Sequence, residues 1–168
     1  THYVPSEGPD EVKARIAGHR DRIEGILGEA GVDPPEPRIA SHIARINRLF
    51  ASDRLEDILA ALESDDSEWA AKELTTLRGK SPQACKVSLR LLAEGARRAG
   101  FADEMRQEYR VATRVVRRHD FVEGVRALLV DKDNEPRWDP ATPEGVTEAM
   151  LDDIFAPLPE GEEWTPLS

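Results

Sequence analysis

The chain has 168 residues, room for one domain or two small ones, with a hydrophobic fraction of 39% and a net charge of −10. That acidic balance argues against general nucleic-acid binding, which needs a basic surface to displace phosphate counterions. No apolar run approaches the roughly 20 residues needed to cross a bilayer, and a single cysteine with no secretory signal points to a reducing compartment.

The first residue is Thr1, not Met. Tyr3 and Val4 suit the end of a strand, and Pro5-Ser6-Glu7-Gly8-Pro9 suits the turn out of it. Helical spacing then takes over. Glu11 to Ala30 sets Ile16, His19, Ile23, Ile26 and Leu27 on one face and stops at Gly31. Val32 to Pro37 is a proline-rich connector, and Arg38 to Phe50 repeats the pattern with Ile39, Ile43, Ile46, Leu49 and Phe50. Ser52 can cap the next helix, whose stripe is Leu55, Ile58, Leu59 and Leu62. After a polar turn over Glu63 to Glu68, Trp69, Leu74 and Leu77 predict a helix to Gly79.

Ser81-Pro82 is a compact start signal, because serine caps free backbone N–H groups and proline tolerates the first helical position. Cys85, Leu89 and Leu92 follow on one face. Asp103 opens a helix with Met105, Tyr109, Ala112, Val115 and Val116. Asp120 with Glu123 fits a capping box for a short helix that would pack Val125, Leu128 and Leu129 inward, and Gly124 would let a neighbouring helix approach. Asn134 to Pro143 is a loop pinned by Pro136 and Trp138. A last helix runs from about Thr147 to Phe155, ahead of an acidic tail. The expected fold is all-α apart from the first few residues, with no repeat period.

Local chemistry is sparse. Gly79-Lys80-Ser81 resembles the end of a phosphate-binding loop, but Leu74 stands where the first glycine belongs. Asp131-Lys132-Asp133-Asn134-Glu135-Pro136 begins like a calcium loop, yet Pro136 takes the position of the turning glycine. His2, His19, His42 and His119 lack metal spacing, and the stripes of His19 and His42 suit half-buried packing. Cys85 reads as a small buried hydrophobe. Between Lys86 and Arg118, nine basic residues face four acids, and Arg106, Arg110, Arg114 and Arg117 form one cationic stripe. Such a stripe either pairs with acidic parts of the same chain or attracts a phosphorylated ligand such as coenzyme A.

His119-Asp120-Phe121-Val122-Glu123-Gly124-Val125-Arg126-Ala127, followed by Asp131-Lys132-Asp133, Pro136 and Trp138, resembles the C-terminal signature of 3-hydroxyisobutyryl-CoA hydrolases. These form the thioester-hydrolysing branch of the enoyl-CoA hydratase/isomerase (crotonase) superfamily. Lys80-Ser81-Pro82 with Lys86, Leu89-Arg90 and Glu94-Gly95 is similar to the family's Ser-Pro helix start, and Thr1-His2-Tyr3-Val4 to the segment where its catalytic core ends. The resemblance implies a C-terminal helical region without the β/α core: residues 1–8 a remnant of that core, 9–156 the helical domain, 157–168 a tail. It also implies that the oxyanion hole and the catalytic carboxylates lie upstream, so no catalytic or metal-binding residue is expected here. Lys132 is the nearest match to a lysine that reaches the adenine end of CoA. No cofactor is implied, since acyl-CoA is the substrate of the parent enzyme.

The expected partners are therefore the missing core, acyl-CoA through the parent enzyme, and a second copy of the chain through exposed apolar surface; nucleic acid and membrane are not expected. The compartment would be bacterial-type cytoplasm or the mitochondrial matrix, and the pathway valine breakdown. Two other readings stand beside this one: the C-terminal part of an enoyl-CoA hydratase/isomerase, and a self-standing helical interaction module.

Overall fold

The computed structural model describes residues 2–166. Among these residues every regular element is helical and there is no strand, in agreement with the all-α expectation. Tyr3 and Val4 are extended without strand pairing, though Tyr3 O accepts the Val32 N–H at 3.0 Å. Thr1 lies outside the described residues, as do the last two residues of the tail. No helix of the described residues is long and apolar enough to cross a membrane.

The chain divides into two compact units, Thr1–Ile43 and Ala44–Ser168. In the first, α1 (Pro9–Gly18) and α2 (Ile23–Ala30) stand where the periodicity predicts one helix. The apolar spacing does continue across the junction, but the backbone does not. Gly18 ends α1, His19 turns to φ −141° and ψ 67°, and a 3₁₀ turn at Arg20–Arg22 follows. This break leaves His19 exposed instead of half-buried. Val12 and Ile26 are the buried side chains of the two helices. Arg15 and Arg22 both bond Glu29, which ties α2 back to the preceding turns.

The second unit holds the core, and its helices enclose two aliphatic clusters. After α3 (Ile43–Leu49) come α4 (Leu55–Glu63) and α5 (Glu68–Arg78), which bury Leu49, Ile58, Leu62 and Ala70 together. Trp69 closes this cluster, edge-on to Phe50 at 6.5 Å. Ser52 does not cap α4. It forms a local turn instead, accepting the Arg54 N–H and donating to Asp57, and α4 starts after Arg54 without a side-chain cap.

The second cluster joins α6 (Pro82–Gly95), α7 (Phe101–Val115) and α9 (Glu148–Phe155) through Val87, Val111, Val146, Leu151, Ile154 and Phe155. Both of the outer helices start as the sequence predicts. Ser81 Oγ accepts the Ala84 N–H at 3.0 Å, and Thr147 Oγ1 accepts the Met150 N–H at 3.3 Å. Between α7 and α9 lies α8 (His119–Val125), which runs into a π-helical turn over Arg126–Val130.

Candidate functional site

α8 and the loop behind it form the site. The expected capping box is absent: the position before α8 is Arg118, and no side chain caps it. Asp120 instead points inward, 7% exposed, and accepts from the Ser81 hydroxyl and from the Asp139 N–H at 2.8 Å. Glu123 accepts two bonds from Arg126, at 2.8 and 2.9 Å, and one from the Arg137 N–H at 2.8 Å. Both carboxylates therefore bind the chain that follows the helix instead of its first turn. The Arg126 guanidinium holds the Glu123 carboxyl down at about 2, with the Arg137 N–H adding to the effect.

Arg126 is the hub of the loop. Beyond Glu123 it bonds Asp131 at 2.8 Å, Asp133 at 2.6 Å and the Glu135 carbonyl at 3.3 Å. The carboxylates that begin like a calcium loop are thus spent on a guanidinium. Lys132 and Asn134 both take φ 57°, a left-handed conformation, and the Asn134 N–H closes on Ala127 O at 3.1 Å. Lys132 stands exposed between the two engaged aspartates and makes no ion pair among the described residues. Trp138 pins the far end of the loop as expected, its Nε1–H donating to Gly79 O at 3.2 Å. His119 adds a ring nitrogen on Arg137 O at 2.9 Å, and that contact raises its pKa.

These contacts fix which way α8 faces, and the sequence reading had it reversed. Asp120, Glu123, Gly124 and Ala127 recur at the i, i+3, i+4, i+7 spacing of one helix face. That polar and small stripe is the covered one. Ala127 is 0% exposed, and a Cβ on Gly124 would meet the Trp138 ring at 3.4 Å. Gly124 therefore faces an indole and not a neighbouring helix. Val125, Leu128 and Leu129, expected inward, are 36, 54 and 68% exposed, with Phe121, Val122 and Val130 beside them. The result is a continuous apolar surface on a helix fastened from behind.

Between this helix, α6 and α7 lies a cavity of about 550 Å³. Its walls include Val87, Val115, Val125 and Leu128, while Lys80 and Gln83 line it from the start of α6. Cys85 is half-buried nearby, and burial pushes its thiol up, as suits a packing residue better than a nucleophile.

The arginine stripe of α7 largely follows the structural reading. Arg110 clasps Glu163 of the tail at 2.8 and 2.9 Å, and Arg106 pairs with Asp103 at 2.5 Å. Arg114 donates to the carbonyls of Ile154, Ala156 and Pro157, closing the end of α9. Sequence missed the acceptors, because the tail and a helix terminus carry no periodic signal. It also missed the Ser81–Asp120 pair, whose members are 39 residues apart.

Residues 1–155 match the family model described as enoyl-CoA hydratase/isomerase. The chain belongs to this family. Within it, the chain is 43% identical to the mitochondrial 3-hydroxyisobutyryl-CoA hydrolase of Gallus gallus and 34% identical to that of Homo sapiens. Each alignment takes in 94% of this chain but only 43% of the relative. Among solved structures, a carnitinyl-CoA dehydratase from Mycobacterium thermoresistibile superposes with a TM-score of 0.85 at 34% identity, over 95% of this chain and 45% of that one. An enoyl-CoA hydratase from Rhodobacter sphaeroides gives 0.71 at 36% identity, over 84% and 43%. The superfamily resemblance carried by the Asp120–Trp138 stretch is thereby met, and the chain spans less than half the length of its enoyl-CoA hydratase/isomerase relatives.

Proposed function

We propose that this chain is the C-terminal helical part of an acyl-CoA thioester hydrolase of the 3-hydroxyisobutyryl-CoA type, where it lies over the CoA-binding region of a catalytic core and supports subunit contacts. The observation that carries the reading is the α8 surface. Phe121, Val122, Val125, Leu128, Leu129 and Val130 are exposed on a helix whose orientation is set by polar ties on its other side. A large apolar surface held in this way marks a place where another surface docks. The curated relatives are hydrolases more than twice the aligned length, which leaves a core to supply the docking surface, the oxyanion donors and the catalytic carboxylates. Left without that core, the same face would draw two copies of the chain together.

Lys132 is the residue proposed to reach the adenine end of CoA. Its support is local: the flanking Asp131 and Asp133 are neutralised on Arg126, so the Lys132 ammonium is presented without a competing partner. The test is to assay the chain alone, and then together with an upstream core, against 3-hydroxyisobutyryl-CoA. The expected result is no thiol release by the chain alone and restored release with the core. Turnover by the chain alone, or a core equally active without it, would overturn the proposal. In the active assembly, Lys132→Ala should raise KM and leave kcat unchanged.

The solved relatives favour one second reading, the C-terminal part of an enoyl-CoA hydratase or isomerase, since one is a carnitinyl-CoA dehydratase and the other an enoyl-CoA hydratase. The assay separates the two. Hydrolysis liberates a free thiol, whereas hydration of an unsaturated acyl-CoA leaves the thioester intact.

A further inference from the structure

Arg126 does more than close a loop, because each N–H of its guanidinium is matched to an acceptor. Nε and Nη2 grip the two oxygens of Glu123 at 2.9 and 2.8 Å. Nη1 takes Asp131 at 2.8 Å and Asp133 at 2.6 Å, and Nη2 also reaches the Glu135 carbonyl at 3.3 Å. Glu123 is itself fixed by the Arg137 N–H. The guanidinium is therefore anchored to α8 on one side and holds the loop on the other, and it keeps the Asp133 carboxyl below its ordinary range.

Lys132 lies between the two captured aspartates. A left-handed backbone is uncommon outside glycine, yet Lys132 and Asn134 both adopt it, at φ 57°. The Asp131–Glu135 stretch is exposed throughout, so no apolar burial pins it and its conformation rests on hydrogen bonds. Asn134 Nδ2 donates to Lys132 O at 3.1 Å, and the Glu135 N–H donates to Asp133 at 2.9 Å. The remaining hold is Arg126. Asp131 and Asp133 are also the carboxylates next to Lys132 in sequence. Turned onto Arg126, they are turned away from Lys132, which makes no ion pair among the described residues.

We infer that Arg126 is a positioning residue for the ligand contact of Lys132. By gripping Asp131 and Asp133 it sets the left-handed turn that presents the Lys132 ammonium, and it keeps both carboxylates off that ammonium. The inference rests on the reading above in which Lys132 meets the adenine end of an acyl-CoA. Arg126 acts through Lys132 and through no contact of its own with the ligand.

Kinetics of the active assembly of this chain with its core test the assignment. Lys132→Ala should raise KM for 3-hydroxyisobutyryl-CoA about tenfold with kcat unchanged, the loss of one hydrogen bond from a charged group. Arg126→Lys keeps the charge but cannot reproduce the planar fork, and should raise KM about three- to fivefold, again with kcat unchanged. Two controls separate positioning from general support of the helix. 3-Hydroxyisobutyryl-pantetheine carries the same thioester without the nucleotide, and its KM should respond to neither substitution. In the Lys132→Ala background, Arg126→Lys should add nothing. In the chain alone, the Asn134 amide, bonded to Ala127 O, should exchange faster in Arg126→Lys. If Lys132→Ala raises KM and Arg126→Lys does not, the inference falls and the role of Lys132 stands. It falls equally if Arg126→Lys lowers kcat, acts on the pantetheine thioester, acts as strongly without Lys132, or leaves the Asn134 amide unchanged. If Lys132→Ala leaves KM unchanged, the role of Lys132 and the inference fall together.

Discussion

The tie between Ser81 and Asp120 can be measured by itself, because its two ends belong to different helices and Ser81 has two separable jobs. Ser81 Oγ accepts the Ala84 N–H as the cap of α6, and it donates its proton to Asp120. Ser81→Ala should cost about 1 kcal/mol for the cap and a further ~1.5–2 kcal/mol for the bond to an ionised carboxylate. Asp120→Ala loses that bond and the Asp139 N–H contact, leaving the buried Ser81 hydroxyl without an acceptor, for a total of about 3–4 kcal/mol. The bond they share is lost only once in the double variant, so its cost should fall about 1.5–2 kcal/mol short of the sum of the singles. Urea denaturation followed by circular dichroism gives the three energies, and the exchange rate of the Asp139 amide reports the local loosening. If Asp120 were merely capping α8, the two residues would be independent. Additivity within ~0.5 kcal/mol would therefore refute the tether and restore the capping box.

Other consequences are testable in the same preparation. Gly145→Ala places a Cβ 2.7 Å from the rigid Pro140 ring and should destabilise the chain by about 1–3 kcal/mol in urea titration. Gly124→Ala should do the reverse, gaining about 0.5–1 kcal/mol of helix propensity, since its Cβ meets the Trp138 ring at an ordinary 3.4 Å. The Glu123 carboxyl is depressed from 4.5 to about 2 in the fold, so its contribution to stability is present above pH 4.5 and is lost as pH falls toward 2. Glu123→Gln should accordingly flatten that part of a stability–pH profile, and an unchanged profile would count against the Arg126 and Arg137 contacts. Leu128→Ser with Leu129→Ser should leave stability within about 0.5 kcal/mol while reducing self-association in sedimentation, because both side chains are exposed.

The elements legible in the sequence were those whose signals are local. Ser81-Pro82 announced α6 because a cap acts on N–H groups only two or three residues away. Ser52 shows the limit of that signal. Its oxygen is equally suited to closing a turn on Arg54, and α4 begins three residues later. The split at His19 was hidden because apolar spacing continues through a backbone break. For α8 the failure was one of direction. A stripe of valine and leucine was read as the inner face, whereas the inner face is Asp120, Glu123, Gly124 and Ala127, paired with Ser81, Arg137 and Trp138. Those partners lie from 14 to 39 residues away, and no periodicity records them. The Asp120–Trp138 stretch identified the family correctly, then, while its physical role came from contacts that a linear reading does not contain.

The way α8 is fastened has a consequence for association. Asp120, Glu123, Arg126 and Trp138 hold the helix and its loop together from the side away from the apolar residues, so the helix owes its position to nothing that lies on that face. A surface arriving there meets side chains on a backbone that is already ordered. It does not have to supply the entropy of folding a segment, a cost that for a loose helix would consume much of the gain from burying leucine and valine. The rigidity also limits choice: a preorganised face cannot remould itself, so it discriminates among arriving surfaces by shape.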